Sequence, residues 1–180
     1  MPIRQTPYRL LRLLRSHVRA LALFVLPVAA WLACTDLWLP HGASTISLWY
    51  APKTFDQCSR DTPAPGDRFW IPAASQIREA EAALVPMFAL RKQQGLPMPN
   101  EPQADYPFYY RHQYIGFTRN GKRLIYLNAY PSGDEDAYFE LKYKIVEAPV
   151  NACDGGRYFW GALYNPASRT IDAVDFNGRG

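Results

Sequence analysis

Chemistry at a protein site needs a nucleophile, a base or a set of metal ligands, and this 180-residue chain offers few of each. Of its three histidines, His17 and His41 fall near the N-terminus, and His112 alone lies in the body of the chain. One histidine is too few for a His-rich zinc site, which gathers several nitrogen or sulfur ligands. A Cys–His nucleophile would pair Cys58 or Cys153 with His112, but a cysteine in a disulfide has no thiolate to offer. Ser132 in Pro-Ser-Gly and Ser168 in Asn-Pro-Ala-Ser are turn serines without the strained elbow that hydrolytic serines occupy. The carboxylates of Gly133-Asp134-Glu135-Asp136 lack the spacing of a calcium loop. Asp154-Gly155-Gly156 reads as a tight turn needing positive φ, not as a phosphate loop, because no helix start or Lys-Ser/Thr follows. No catalytic residue, metal site or cofactor is expected.

Aromatic density is the stronger signal. Tyr106, Phe108, Tyr109, Tyr110 and Tyr114 cluster around Arg111 and His112. Side chains alternate along a strand, so Tyr110 and His112 share one face and Tyr109, Arg111 and Gln113 the other. Rings supply contact area and arginines supply directed hydrogen bonds. The candidate binding surface is therefore Tyr109, Tyr110, Arg111, His112 and Tyr114, with Arg119, Lys122 and Arg123 of the adjoining hairpin. At least one of these rings is expected to stand open on the strand face turned away from the helix.

The elements that must position these groups follow from pattern. Ile77, Ala80, Leu84, Met87 and Phe88 recur at helical spacing, which predicts a helix over residues 75–94. Ser75 is its expected cap and Gly95 its stop, with Pro86 able to kink the last turns. Asn120-Gly121 between two β-rich runs predicts a type I′ hairpin with arms 111–119 and 122–130. Further strands are expected over 46–50, 138–150, 157–164 and 170–176, with turns at Asp154-Gly155-Gly156 and Asn165-Pro166-Ala167-Ser168. The fold class expected is α+β: one amphipathic helix packed on a curved antiparallel sheet of about five strands, by analogy with cystatin-like sheets that wrap a helix.

The N-terminus fixes the compartment. Residues 1–19 carry five arginines and no acid, and residues 21–33 form an uncharged apolar run. A basic stretch before an apolar one engages export machinery with its basic end left in the cytoplasm. Three outcomes fit. Trp31-Leu32-Ala33-Cys34 resembles the bacterial lipobox, with Ala33 in place and Trp31 where a small aliphatic residue is usual, making Cys34 the lipidation site. Residues 20–39, with Asp36 as their one charged group, could instead stay as an uncleaved anchor. Cleavage after Ala30 would release the chain. The chain thus divides into a leader or anchor over 1–39 and one exported domain over 40–180, facing the periplasm of a bacterial cell envelope. With Cys34 set aside, Cys58 and Cys153 are an even pair expected to bridge in an oxidising compartment.

Charge excludes one class of partner. The isoelectric point is near 9.0, but the leader to Ala33 holds five of the 20 basic residues and none of the 16 acidic ones. The remainder is therefore 15 basic against 16 acidic, and the electrostatic footprint for nucleic acid is missing. From Cys153 to Gly178 the run CDGGRYFWGALYNPASRTIDAVDFNG, with RHQYIGFTRNGKRLIYLNAY upstream, resembles small exported bacterial lipoproteins of unknown function. The resemblance spans roughly residues 106–178, rests on turn residues and aromatics, and brings no site residue with it. The resulting expectation is a non-enzymatic envelope protein, held at the membrane through its N-terminus and binding a protein or cell-wall partner. The alternative is an envelope-polymer hydrolase with Asp/Glu acid–base residues brought together in space.

Overall fold

The computed structural model describes residues 39–102, 109–132 and 148–178. The ordered elements are built around a long hairpin. Strand β3 (Tyr109–Arg119) and strand β4 (Lys122–Ser132) pair along their whole length, from Tyr109 opposite Ser132 to Arg119 opposite Lys122. Asn120 at φ 51° and Gly121 at φ 74° turn the chain. Both residues of a type I′ turn need positive φ, so Asn-Gly also sets the register. Strand β5 (Trp160–Asn165) lies antiparallel to β4, and strand β6 (Thr170–Phe176) antiparallel to β5.

Two three-residue strands share the outer edge of β3. Strand β1 (Ala43–Thr45) pairs with it in parallel beside His112 to Tyr114, and strand β2 (Arg68–Trp70) pairs antiparallel beside Gly116 to Thr118. The sheet therefore has six strands in the open order β1-β3-β4-β5-β6, with β2 beside β3. This corrects the expected curved, purely antiparallel sheet of about five strands: the sheet is mixed and open. Three-residue strands are too short to display a two-residue period, so neither β1 nor β2 was visible in the hydrophobic pattern. The strand expected over 46–50 is displaced in the same way. Its pairing residues are Ala43–Thr45, and Ser47 to Tyr50 form a hydrogen-bonded turn.

Helix α1 (Ala74–Gln93) begins after Ala73, whose backbone N–H donates to the Gln76 side chain, so Ser75 is not the cap. It runs through Pro86 without a break. It ends as a glycine C-cap: Gly95 sits at φ 65°, its N–H donates to Lys92, and the Leu96 N–H donates to Arg91. Ile77, Ala80 and Leu84 bury one stripe against Tyr114, Ile125, Leu127, Ala129, Trp160, Ala162 and Tyr164.

The opposite face of the sheet is also covered. Ile115, Phe117, Leu124, Tyr126 and Leu163 pack there with Ile46, Ala51 and Phe55, the last two from a 3-10 turn (Ala51–Phe55). The Cys58–Cys153 disulfide, with Cα atoms 4.9 Å apart, joins this segment to the stretch before β5. Closing a 95-residue separation removes unfolded-state entropy worth about 4 to 5 kcal/mol in the chain-entropy model. The turn at Gly155 and Gly156 has positive φ at both glycines. The strand expected over 138–150 lies outside the described residues as far as 147, and residues 148–150 are not strand. The leader and Cys34 also lie outside them. No helix among the described residues is long and apolar enough to cross a membrane.

Candidate functional site

Two groups of polar side chains are buried against the sheet, one on each face. On the helix face, α1 carries Glu81 over β3. Glu81 Oε1 lies 2.7 Å from His112 Nδ1 and accepts a 2.7 Å hydrogen bond from the Tyr114 hydroxyl. The alternation of β3 puts His112 and Tyr114 on the same face, two residues apart, so a single carboxylate reaches both. The His112 ring meets the Trp160 ring edge-on, centroids 5.4 Å apart. Tyr110 and Phe88 close on Trp160 in the same manner, at 5.8 and 5.3 Å.

This setting explains the titration behaviour. Burial pushes the Glu81 carboxyl up, but the hydrogen bond and charge of His112, with the Tyr114 hydroxyl, outweigh it and hold Glu81 below its usual range. Burial first, and then the Glu81 charge and hydrogen bond, push the Tyr114 phenol far above its ordinary value. With Glu81 on Nδ1, the imidazole is oriented as in a carboxylate–histidine dyad. Its Nε2 is buried and has no hydrogen-bond partner. No hydroxyl or thiol among the described residues is hydrogen-bonded to it.

On the far face, Arg60 is buried with its guanidinium fanned across three neutral oxygens. Nε donates to the Tyr126 hydroxyl at 3.1 Å, Nη1 to Asn177 Oδ1 at 2.7 Å, and Nη2 to Asn128 Oδ1. Asn128 passes the network on to Gln113 Oε1 and the Val150 carbonyl, both at 2.9 Å. Gln113 takes the Val150 N–H and donates to Ala148. Asn177 reaches the Ala152 and Asp154 carbonyls. Gln113, Asn128 and Asn177 thus supply partners to the backbone of residues 148–154, which has no strand ladder of its own. Gly161 leaves the space that the Tyr126 hydroxyl fills; a Cβ there would collide with it.

Asp175 lies at the margin of this network. Burial raises its carboxyl, the neighbouring Asp61 charge raises it further, and Arg60 and Arg91 oppose them. Asp61 and Asp175 are two carboxylates close enough for the charge of one to raise the other. No cluster of three or more metal-ligating side chains occurs among those residues.

The residues expected to form one binding surface are divided by the fold. Tyr114 is fully buried, Tyr109 and Tyr110 are half-buried, and neither stands fully open. Tyr110, His112 and Tyr114 face α1; Tyr109 and Arg111 face away. Arg111 donates to the Tyr109 hydroxyl at 2.8 Å and to Ser132 at 3.3 Å, with its guanidinium 5.1 Å from the Tyr109 ring. Arg119, Lys122 and Arg123 sit at the other end of an 11-residue strand, roughly 30 Å from Tyr109 at the rise of an extended chain. Arg123 is stacked on Trp70, 3.9 Å from the ring centroid. Trp70 in turn lies over Gly116, where a side chain would meet the indole. Hairpin pairing brings the three basic residues together, but not with the tyrosines. Tyr106, Phe108 and the Gly133 to Asp136 loop lie outside the described residues. Ser168 is tied into a turn network with Thr170 and Asp172.

Sequence reasoning missed Arg60, Asn128, Asn177 and Glu81. No local pattern marks them, because each acquires its partners across at least 15 residues. Gln113 at a core position of a strand was the one visible sign that the far face is polar. No protein-family model, curated protein or solved structure matches this chain.

Two measurements check these assignments. Arg60→Ala leaves three buried oxygens without their donor. At about 1 to 3 kcal/mol for an unsatisfied buried group, it is expected to lower the unfolding free energy by roughly 3 kcal/mol or more, read from urea denaturation. A change within about 0.5 kcal/mol would mean that the network carries no stability. Glu81 is held below its unfolded value of 4.5, so its stabilisation is present above about pH 4.5 and is lost as pH falls through the folded value. Glu81→Gln is expected to flatten the acid limb of stability against pH. An unchanged acid limb would remove Glu81 as its source.

Proposed function

We propose that this chain is a membrane-tethered protein of the bacterial cell envelope, whose disulfide-stapled domain binds a protein or cell-wall partner without catalysing a reaction. The observation that carries this reading is the Cys58–Cys153 bond. Disulfides persist in oxidising compartments and are rare in the cytosol. The arginine-rich leader, its apolar run and the Ala33-Cys34 junction supply an export route to such a compartment. Likeness to small exported lipoproteins in the second half of the sequence points the same way. Against catalysis stand a His112 Nε2 with no hydroxyl or thiol of the described residues hydrogen-bonded to it and a guanidinium at Arg60 whose contacts are all structural.

The full chain is expected in the membrane fraction of a bacterial host. Release by Cys34→Ser would assign the tether to lipid, and retention would assign it to an uncleaved helix. Recovery of the unaltered protein as a freely soluble periplasmic species would overturn the tether altogether. A hydrolase is the second reading, favoured only by Asp175 and its raised carboxyl beside Asp61. It requires that the same preparation cleave purified cell-wall polymer and that Asp175→Asn abolish the cleavage; no cleavage, or cleavage by the variant, removes it.

A further inference from the structure

The turn that follows β1 breaks the usual chemistry of turns. The Tyr50 N–H donates to the Ser47 carbonyl at 2.9 Å, which makes Leu48 and Trp49 the two central residues. Such positions favour Pro, Asn, Asp, Ser or Gly, whose backbones and short polar side chains suit a solvated bend. Here they carry a leucine that is 49% exposed and a tryptophan that is 84% exposed. The exposure is not that of a loose loop. Ile46 immediately before the turn and Ala51 immediately after it are both fully buried. The Ile46 N–H bonds to Tyr114 of β3, and the chain continues into a 3-10 turn whose Thr54 and Phe55 are buried. Leu48 and Trp49 are thus held out from the domain by a fixed frame.

We infer that the Leu48–Trp49 tip is a membrane-contact element that enters the interfacial layer of the bilayer to which the chain is tethered. This deepens the tethered reading and rests on it. Three observations choose the bilayer over a protein partner. Trp49 lies ten residues after Leu39, so little chain separates the tip from the leader in sequence. Trp and Leu side by side are the composition of interfacial contacts, since the indole has an apolar body and an N–H for the headgroup level. No Asp or Glu occurs from residue 39 to 55, whereas Lys53 stands four residues beyond Trp49, its ammonium 5.8 Å from the Tyr50 ring centroid. A tip without a carboxylate enters the phosphate level of a bilayer without repulsion, the first acid, Asp56, lying seven residues beyond Trp49. Its shape also matters. A convex turn buried in a protein needs a matching pocket, whereas a fluid bilayer accommodates it without one.

The test places p-benzoylphenylalanine at position 49 of the full chain in bacterial cells, with the same probe at position 85 as the control. Val85 is 72% exposed on α1 and so is equally open to solvent. After irradiation, membranes are isolated and adducts are identified by mass. The expected result is a phospholipid adduct from position 49 and none from position 85. An adduct to another protein at position 49, or equal lipid labelling at both positions, overturns the inference while leaving the tether intact. Absence of the chain from the membrane fraction overturns both.

Discussion

The central hairpin must be covered on both faces, and the rest of the fold answers that constraint. Residues 113 to 117 of β3 and 124 to 129 of β4 are buried without alternation, the mark of strands enclosed on both sides. One cover is α1, which brings an apolar stripe and makes its own backbone hydrogen bonds. The other is the irregular chain around residues 46–62 with residues 148–154, which has apolar contacts from Ile46, Ala51 and Phe55 but little ladder. An irregular cover leaves backbone groups that must find partners elsewhere. Gln113, Asn128 and Asn177 provide them, Arg60 binds these side chains to one another, and the disulfide prevents the two segments from separating.

This division of labour makes Arg60 a keystone of a particular kind. A buried cation is costly unless its field is answered. Here three neutral oxygens answer it at contact, and Asp175 lies within reach of its charge. The opposing influence of Arg60 on Asp175 is part of the same balance. A guanidinium committed at all three nitrogens has little left to offer a ligand, so its burial is read as architecture. The Glu81 group is similar in principle: one carboxylate bonds His112 at Nδ1 and the Tyr114 hydroxyl at the helix–sheet seam, and the aromatic rings around Trp160 fill the space beside them.

What the sequence displayed was local. The Asn120-Gly121 turn, the helical spacing of Ile77, Ala80 and Leu84, the stop at Gly95 and the strand over Thr170–Phe176 all depend on residues within a few positions of one another. Tyr110 and His112 on one face and Tyr109 and Arg111 on the other followed from the pleat alone. What it hid was set by distant pairing. The parallel contact of β1 and the insertion of β2 depend on which edge of β3 is free, and three residues carry no periodicity to announce it. The residues of the candidate surface are spread along the hairpin for a related reason. Two hairpin arms are neighbours across the strand, but 11 residues of β3 separate its ends, and a tyrosine two positions from another can be as deeply buried as Tyr114.

The positions that violate local rules are the ones that distinguish readings of function. A sequence specifies its fold when local preference and global packing agree, and conflicts collect where something other than folding is being served. Arg60 is answered inside the domain by hydrogen-bonding neighbours, and His112 is answered at Nδ1 but not at Nε2. The conflict at Leu48 and Trp49 has no such resolution. No contact with the domain hides the indole, and the turn would form more readily with polar residues. An enzyme concentrates its unresolved groups in a water-poor recess where charge can be stabilised. Among the described residues, Arg60 and Glu81 find their partners inside the domain, while Leu48 and Trp49 stand exposed. That distribution is the physical ground on which the proposed binding role rests.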